Sequence, residues 1–473
     1  MTNALRDKKT PSASRLARWA VLAAAVGLAV AARSESGTAP ADPVADAAER
    51  IRAAGLRSEG AYPILARLTR EVGPRLTGSA GADAAVEWTR RLMDSLGFET
   101  WLEPVTVERW VRGEASAAIE GPSGRNLAVA ALGGSVPTPA GGISGRVVEV
   151  GSTDELKTRA AEARGAIVFF NVPFDRTLAD TFRAYGGVAA FRAQGPSRAA
   201  AAGAVAALVR SPTGRIDGHP HTGMLQYDEG SPRVPAAALA TADADALSAA
   251  LARDPRLLVR LELSCRGEGP VPSANVIGQI RGAEKPDEIV LLGGHLDSWD
   301  LGTGAHDDGA GCVQAIEALR LIAGLGLKPR RTIRAVMFMN EEFGATGGRD
   351  YAAAPKRKGE RHLAAIESDR GGFLPLGFAA GGGDAASVRL RRRLEKLLAP
   401  SGISWVVPGG GGADIGPLAA GGTVMMSFIP NSQTYFDFHH SALDVIEAVH
   451  PRELELGAIV MAIAALAVAE EGI

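Results

Sequence analysis

Histidine and carboxylate residues stand at the ends of the apolar runs in the carboxy-terminal part of the chain. The runs EIVLLGGH, TIRAVMFMNEE, HLAAIESD and TVMMSFIP have the length of strands, and each ends in such residues or precedes one by a loop. Because ligands of open α/β sheets bind at the carboxyl ends of the strands, these residues are the first candidates for a site. They are His295, Asp307, Glu341, Glu342, Asp369 and His440.

Taken together, the types of these residues indicate a metal centre. Singly, a histidine at a strand end is most often a hydrogen-bonding loop residue, and a glutamate pair is usually a solvated turn. Gathered at one rim, such groups would repel and desolvate one another at a cost of several kcal/mol unless cations paired with them. Imidazole and carboxylate ligands without thiolate suit zinc, and manganese or cobalt would accept the same set.

The number of candidate residues matches two metal ions. Two ions roughly 3.5 to 4 Å apart need one bridging carboxylate and about two further protein ligands each. Glu341 is then free to act as general base, taking a proton from a metal-bridged water and passing it to a leaving amine. The remaining residues supply the ligands His295, Asp369, Glu342 and His440, with Asp307 as the bridge.

The strands and helices that must position these residues alternate along the chain. Continuous apolar runs of strand length are typical of buried strands in a mostly parallel sheet. Amphipathic helical patterns, among them CVQAIEALRLIAG, SVRLRRRLEKLLA and RELELGAIVMAIAALAVAE, lie between the runs or after them. The alternation predicts an α/β fold, a three-layer sandwich with a mostly parallel mixed sheet.

Changes of composition divide the chain into five segments. A basic start and the 14-residue apolar run 19–32 are typical of a signal peptide, because the run is shorter than the roughly 20 residues that span a bilayer. We therefore expect export, to the periplasm or as a secreted protein, with no stable membrane span after cleavage. An uncleaved amino-terminal anchor is the alternative. The predicted segments are the signal peptide 1–32, a linker 33–46, a first catalytic part 47–129, a β-rich insertion 130–268 and a second catalytic part 269–473.

The net charge limits the classes of binding partner, and the cysteine content limits the number of disulfide bonds. Lys and Arg number 51 against 53 Asp and Glu, so the net charge of -2 gives no basic field that would gather nucleic acid or an anionic membrane. We therefore expect a small molecule or a peptide as partner and no nucleic acid. Cys265 and Cys312 are the only cysteines, too few for a disulfide framework, and both are predicted to be free buried thiols.

Four motifs resemble those of a known family. GGHLDSWDLGTGAHDDGAG, MNEEFGATGG, ESDRGGF and FHHSALD resemble the co-catalytic zinc exopeptidases that include aminopeptidase S and glutamate carboxypeptidase. HLDSWDLGTGA with the later ESD and FHHS is similar to the branch of plasma glutamate carboxypeptidase in particular. The resemblance covers the chain from about residue 45 and implies the zinc exopeptidase fold, two zinc ions per chain and a homodimer.

The resemblance also implies a role for each site residue. It places His295 and Asp369 on one zinc ion, Glu342 and His440 on the other, Asp307 between them, and Glu341 as the base. His440 is preferred to its neighbour as ligand because it stands four residues before Asp444, the spacing of the family. His439 is then expected near the scissile carbonyl, where it would stabilise the developing oxyanion.

Further residues receive expectations from the same resemblance. The carboxylate of Asp297 would hydrogen-bond the far ring nitrogen of His295, and the Asp307–Asp308 peptide bond would be cis. Asp414, in the Gly-rich run 409–422, would meet a substrate amine or stand in a plain flexible loop.

The remaining expectations concern the insertion and the unassigned histidines. The insertion resembles a protease-associated domain, which would cover the cleft and favour small peptides. His306 would perturb the metal water or point away, and His219 and His221 are expected to be exposed loop residues.

These observations predict a zinc-dependent exopeptidase that hydrolyses dipeptides or the amino-terminal bond of short peptides. Dipeptidase, aminopeptidase and glutamate-releasing carboxypeptidase activity all remain open. One alternative is a non-catalytic receptor or scaffold of the same fold, such as the transferrin receptor, which would need neither the base nor all five ligands. The other is a single-zinc acyltransferase of the glutaminyl cyclase type, which the bridging carboxylate and the insertion disfavour.

Overall fold

The structure, a computed structural model, describes residues 42–122 and 124–473. The predicted signal peptide and residues 33–41 of the linker lie outside the described residues. Its strands are β1 Glu99–Val111, β2 Ala115–Ile119, β3 Arg125–Leu127, β4 Val129–Ala131, β5 Ile143–Val150, β6 Ile167–Phe170, β7 Ala206–Arg210, β8 Ala236–Leu239, β9 Leu258–Leu263, β10 Arg266–Ile280, β11 Lys285–His295, β12 Arg331–Phe338, β13 Arg361–Glu367, β14 Pro375–Ala380, β15 Trp405–Val407 and β16 Val424–Pro430.

Twelve α-helices are present among the described residues. The first begins within the last residues of the predicted linker, where Asp42 Oδ1 accepts a hydrogen bond from Ala45 N at 3.0 Å. The helices are α1 Pro43–Ser58, α2 Ala61–Arg67, α3 Ala80–Ser95, α4 Thr153–Thr158, α5 Ala160–Ala163, α6 Thr181–Ala201, α7 Thr241–Arg253, α8 Ala310–Gly324, α9 Thr346–Ala353, α10 Ala385–Leu398, α11 Tyr435–Phe438 and α12 Pro451–Glu471.

The apolar runs that carry the candidate residues form the centre of an eight-stranded mixed sheet. Its order is β1-β10-β12-β11-β13-β16-β14-β15, and the four strands β12, β11, β13 and β16 are parallel to their neighbours within that group. Strands β11, β12 and β13 are buried along nearly their whole length, as continuous apolar runs require. Parallel strands end at the same edge, so their carboxyl ends bring the following residues together.

Helices cover both faces of this sheet. On one face, a Cβ at Gly294 of β11 would meet the backbone of α8, and α8 packs against α12. On the other face, Leu291 of β11 lies in one apolar cluster with Tyr351 of α9 and Leu418. Because side chains of residues 291 and 294 point to opposite sides of a strand, the fold is a three-layer α/β sandwich. The predicted fold class is confirmed.

A second eight-stranded sheet is formed by residues 115–263. Its order is β3-β2-β9-β5-β6-β7-β8-β4, with β5, β6, β7 and β8 parallel to one another. Three of its strands, β2 to β4, begin before residue 130, at which the sequence analysis starts the insertion. The assignment of residues 130–268 to a protease-associated-like domain stays a prediction.

No helix in the described part of the chain is long and apolar enough to cross a membrane.

Candidate metal centre

The carboxyl ends of the central strands bring all five predicted metal ligands together. His295 is the last residue of β11, Glu342 lies in the loop after β12, and Asp369 follows β13 by two residues. His440 comes after β16 and the short helix α11. Asp307 reaches the same edge from the turn that precedes α8. Residues more than 140 positions apart in sequence therefore meet at one site.

Asp307 lies between two pairs of side chains. Its Oδ1 is 3.2 Å from His295 Nε2, and its Oδ2 is 3.2 Å from His440 Nε2. His295 Nε2 is also 3.6 Å from Asp369 Oδ1, and His440 Nε2 is 3.2 Å from Glu342 Oε2. Each imidazole thus lies next to a different oxygen of Asp307 and has a second carboxylate of its own.

An unusual turn, Ala305–Gly309, presents Asp307 to the site. The Asp307–Asp308 peptide bond is cis, as predicted. Asp444 holds the turn, because its Oδ1 accepts a hydrogen bond from His306 N at 2.7 Å and its Oδ2 accepts one from Asp307 N at 3.1 Å. The residue four positions after His440 therefore supplies the carboxylate that orients Asp307.

Arg75 supports the same region and was missed by the sequence analysis. Its guanidinium is fully buried and donates to the backbone oxygens of Leu296 at 2.7 Å, Thr303 at 2.6 Å and Gly304 at 2.9 Å. Arg75 thereby ties the end of β11 to the loop before Asp307. No local pattern could have revealed it, since its partners lie more than 220 residues away.

The carboxylate of Asp297 has a different role from the predicted one. The Nδ1 of His295 is 3.0 Å from the backbone oxygen of Asp297 and 3.8 Å from its carboxylate, so the predicted residue is the partner but the predicted atom is wrong. The carboxylate instead accepts hydrogen bonds from the backbone N–H groups of Asn340, Glu341 and Glu342 at 2.8, 3.2 and 3.2 Å. It fixes the loop that carries the proposed base and a proposed ligand.

The two adjacent histidines stack face to face beside Asp307. Their ring centroids are 3.5 Å apart, with an interplanar angle of 16°. His439 Nε2 lies 3.7 Å from Asp307 Oδ2, against 3.2 Å for His440 Nε2. The Nδ1 of His440 lies 3.2 Å from the backbone oxygen of Thr222. His440 is therefore the nearer of the two to the carboxylate of Asp307, and its ring orientation is fixed by a backbone partner.

Charges in the site are strongly interdependent. Burial disfavours the imidazolium form of His440, but Glu342 and Asp307 outweigh burial and raise its pKa to about 10. The pKa of His295 is likewise raised well above its usual value, because Asp307 and Asp369 outweigh its burial. Burial raises the pKa of Glu341, and repulsion by Asp369 adds to it. The two imidazoles therefore hold protons that a divalent cation would displace.

The side chains present fit a metal centre. Glu342 Oε1 and His439 Nδ1 are buried without a hydrogen-bond partner among the described residues. Ligand atoms of His295, Asp307 and Glu342 lie within 4.8 Å of one another. The donors are nitrogen and carboxylate oxygen, the set that suits zinc.

A cavity of about 430 Å³ opens onto the centre. Asp307, Glu341 and Asp369 line it from the first sheet, and residues of helix α6 line it from the segment that carries the second sheet. A second cavity, of about 390 Å³, shares Asp369 and Phe182 with the first. The site is thus reached through small cavities that are bounded by residues at the edge of the first sheet and by residues of helix α6.

Aromatic side chains join helix α6 to the site. Tyr185 stacks on Phe436 with centroids 4.5 Å apart, and Phe182 stacks on Tyr435 with centroids 5.5 Å apart. Tyr185 also meets the ring of His439 edge-on at 5.1 Å. Residues of α6 therefore cover one side of the candidate metal centre.

Two of the unassigned histidines are buried. His306 points away from the site: its ring stacks on Phe373 at 4.2 Å and its Nδ1 accepts a hydrogen bond from Gly372 N at 3.1 Å. Burial lowers the pKa of His306 to about 4, so the ring is neutral. His221 was predicted to be exposed, and this is wrong. It is fully buried, and its Nδ1 lies 2.7 Å from the backbone oxygen of His439, because its loop folds onto that segment.

The remaining predicted residues have simpler outcomes. His219 is partly exposed and lies 3.3 Å from Asp217. Asp414 is 1% exposed and lines neither cavity, although glycines of its loop line the second one. Cys265 and Cys312 are free and buried, as predicted.

Fold and site together define a class: a metallopeptidase of the α/β type. A sequence model of Peptidase family M28 matches residues 275–465. Carboxypeptidase Q of Bos taurus is 36% identical over 417 residues, covering 88% of this chain and 86% of that protein. Carboxypeptidase Q of Homo sapiens is 36% identical over 428 residues, covering 90% of this chain and 89% of that protein.

Solved structures agree with these relatives. The crystal structure of a Peptidase M28 precursor from Shewanella amazonensis SB2B has a TM-score of 0.88 at 38% identity, covering 91% of this chain and 98% of that one. A zinc aminopeptidase from Bacillus subtilis has a TM-score of 0.65 at 20% identity, covering 87% and 95%, and shows the fold alone. The chain belongs to peptidase family M28. It is a peptidase related to carboxypeptidase Q, and the predicted resemblance is confirmed.

Proposed function

We propose that this peptidase is a zinc-dependent exopeptidase that hydrolyses dipeptides or the amino-terminal bond of short peptides. The observation that carries the proposal is the position of Asp307, with one oxygen 3.2 Å from His295 Nε2 and the other 3.2 Å from His440 Nε2. A carboxylate placed between two imidazoles, each with a second carboxylate, supports a site for two ions rather than one.

Each residue has a proposed role. His295 and Asp369 would hold one zinc ion, Glu342 and His440 the other, and Asp307 would bridge them, with manganese or cobalt as possible substitutes. When bound, the ions would polarise the scissile carbonyl and lower the pKa of a water molecule.

Glu341 is the proposed general base. It lines the cavity, and burial raises its pKa towards the range in which a carboxylate can both accept and return a proton. It would take a proton from the attacking water and deliver it to the leaving amine. His439, whose Nδ1 is buried without a partner among the described residues, would stabilise the oxyanion that forms on the substrate.

The shape of the site supports small substrates. The cavity of about 430 Å³ has room for a short peptide and excludes a folded protein. Helix α6 covers one side of it through Phe182 and Tyr185, in line with the proposal that the insertion restricts substrate size. Export of the chain and its assembly as a homodimer are further proposals, to be tested by secretion assays and by measurement of the mass in solution.

The experiment measures hydrolysis by the purified protein with added zinc, together with the bound zinc per chain. The substrates are free dipeptides, amino-blocked dipeptides and longer peptides, and the variant is Glu341→Gln. We expect cleavage of free dipeptides, loss of cleavage on blocking the amine, and a fall of about 10²- to 10⁴-fold in kcat for the variant with its zinc retained. Glu229→Gln, at an exposed loop position, is the matched control and should keep full activity.

Each alternative has its own signature in this experiment. Two bound ions without hydrolysis of any peptide would favour the scaffold interpretation. About one ion per chain with cyclisation of an amino-terminal glutaminyl residue would favour the acyltransferase interpretation. Cleavage of amino-blocked dipeptides at the same rate as free ones would overturn the requirement for a free amine.

A further inference from the structure

Arg192, on helix α6, lines the acidic cavity and has no carboxylate partner among the described residues. It shares this cavity with Asp307, Glu341, Glu342 and Asp369. Its Nε is buried and has no hydrogen-bond partner among the residues that the structure describes. Arg192 Nη1 makes two long contacts, one of 3.5 Å with the backbone oxygen of Thr222 and one of 3.4 Å with Nδ1 of His440. A guanidinium carries five donors, so most of its capacity is unused.

The guanidinium of Arg192 lies between the backbone of Gly223 and the ring of Tyr185. It lies against the bare Cα of Gly223, where a Cβ would come within 2.5 Å of Arg192 Cζ. Its Cζ lies 5.5 Å from the centroid of the Tyr185 ring. Any side chain at residue 223 would displace the guanidinium, so the space is matched to Arg192.

The neighbouring imidazole does not use these donors when it acts as a ligand. His440 directs Nε2 towards Asp307 and Glu342, and its Nδ1 lies 3.2 Å from the oxygen of Thr222. A neutral imidazole that ligates through Nε2 carries its proton on Nδ1 and donates it to that oxygen. Nδ1 then cannot accept from Arg192, so the 3.4 Å contact leaves the guanidinium donors free.

We propose that Arg192 binds the free α-carboxylate of the substrate and so makes the enzyme prefer dipeptides to longer or carboxyl-blocked peptides. This inference rests on the proposed function. In a dipeptide the carboxylate lies one residue beyond the scissile bond, and consecutive Cα atoms are about 3.8 Å apart. Arg192 Nη1 lies 3.4 Å from His440 Nδ1, so the guanidinium lies on the far side of one imidazole ring from the atom that faces Asp307 and Glu342. A guanidinium binds a carboxylate through two parallel hydrogen bonds, which a carboxamide cannot reproduce.

The test compares one dipeptide, alanyl-leucine, with its carboxyl-terminal amide. The full zinc-loaded protein is assayed as wild type, as Arg192→Met and as Arg192→Lys. We expect the wild type to prefer the free acid by about 10- to 100-fold in kcat/KM, and Arg192→Met to reduce this acid-to-amide ratio to about one, mainly through KM. Arg192→Lys keeps the positive charge but lacks the two parallel N–H donors of the guanidinium, so its acid-to-amide ratio should lie between those of Arg192→Met and the wild type.

The acid-to-amide ratio separates this role from a structural one. If Arg192 only positions His440, both substrates lose activity equally, the ratio stays at its wild-type value, and the proposal is overturned. A wild type that cleaves acid and amide equally overturns it without any variant. Arg183→Met, on the exposed side of the same helix, should leave the ratio unchanged. Failure of the proposed function is distinct, because the wild type would then cleave neither substrate.

Discussion

The carboxylate of Asp297 accepts a hydrogen bond from the backbone N–H of Glu341 at 3.2 Å. Asp297 is fully buried, and its Oδ2 also accepts from the Thr77 hydroxyl at 2.6 Å. A residue two positions after the proposed ligand His295 thus holds the loop that carries the proposed base. Because this carboxylate does not line the cavity and lies 3.8 Å from His295 Nδ1, beyond hydrogen-bond distance, we expect its influence on catalysis to be one of position.

Replacement of Asp297 by asparagine should impair catalysis through this loop. The amide keeps one acceptor oxygen and turns an NH₂ group towards a backbone N–H donor. We expect kcat/KM for a dipeptide to fall about 10- to 100-fold, with weaker zinc binding, as is usual for the outer partners of metal sites. Kinetics and zinc titration would measure both effects. Asp350→Asn, at an exposed position, is the control, and unchanged zinc affinity together with unchanged kcat/KM in Asp297→Asn would contradict this role.

The two stacked histidines should separate into a ligand and a catalytic residue. His440→Ala removes the imidazole that lies 3.2 Å from both Asp307 and Glu342, so the bound zinc should fall from about two ions per chain to about one. His439→Ala should keep both ions and lower kcat about 10- to 1,000-fold, the range of a lost oxyanion donor. Metal analysis of the purified variants decides between them. Loss of an ion from His439→Ala with retention in His440→Ala would reverse the assignment.

Zinc binding should release protons. The pKa of His440 is raised to about 10 and that of His295 is raised well above its usual value, both by neighbouring carboxylates that outweigh burial. Raised values mean that both rings are protonated in the metal-free protein at pH 7, and zinc requires them neutral. We expect release of about two protons per chain. Calorimetric titration in two buffers of different ionisation enthalpy would count them, and zinc affinity should increase with pH.

Much of the site could be predicted from the sequence because its signals are local. Four of the five proposed ligands stand at or after the end of an apolar run of strand length, and parallel strands end at one edge. Because imidazole and carboxylate groups gathered at one edge repel one another unless cations pair with them, a metal centre was the favoured interpretation of His295, Asp307 and Glu342. The cis peptide bond was predicted from the resemblance of its short motif to the family, and the two free cysteines were predicted because two are too few for a disulfide framework.

The rest could not be predicted because it depends on contacts between distant segments. Arg192 meets His440 across 248 residues, and His221 meets His439 across 218. Neither residue has a distinctive neighbourhood in the sequence, and both were missed or expected to be exposed. The start of the second sheet also depends on a distant contact. Its strand β2, which begins at Ala115, pairs with β9, which comes about 150 residues later.

An ion pair between the buried Arg334 and the partly buried Glu360, neither of which lines the cavity, should make stability depend on pH. Glu360 accepts hydrogen bonds from Arg334 at 2.8 and 2.9 Å, and although burial opposes its charge, this pairing lowers the pKa of Glu360 to about 2. A lowered pKa stabilises the fold above the usual value near 4.5 and loses this contribution as pH falls towards 2. Glu360→Gln should therefore lower Tm at pH 7, and the difference should shrink below pH 4.5. Glu395→Gln, exposed on α10, should show no such trend.

Removal of the Tyr185 ring should relax the limit on substrate length. Tyr185 stacks on Phe436 at 4.5 Å and meets His439 edge-on at 5.1 Å, so it closes one side of the cavity. Tyr185→Ala should raise KM for a dipeptide about 3- to 10-fold, in keeping with an aromatic contact of about 0.5 to 1.5 kcal/mol. Longer peptides should lose less, so the tetrapeptide-to-dipeptide ratio of kcat/KM should rise.

A change of helix stability alone would not produce this shift in length preference. Phe191→Ala provides the comparison, because Phe191 lies on the same helix but packs on Phe170, with ring centroids 6.0 Å apart, and does not line the cavity. That variant should lose stability while keeping the wild-type ratio between tetrapeptide and dipeptide. If Phe191→Ala shifted the ratio as much as Tyr185→Ala does, the length limit would come from the general placement of α6 and not from the ring that covers the site.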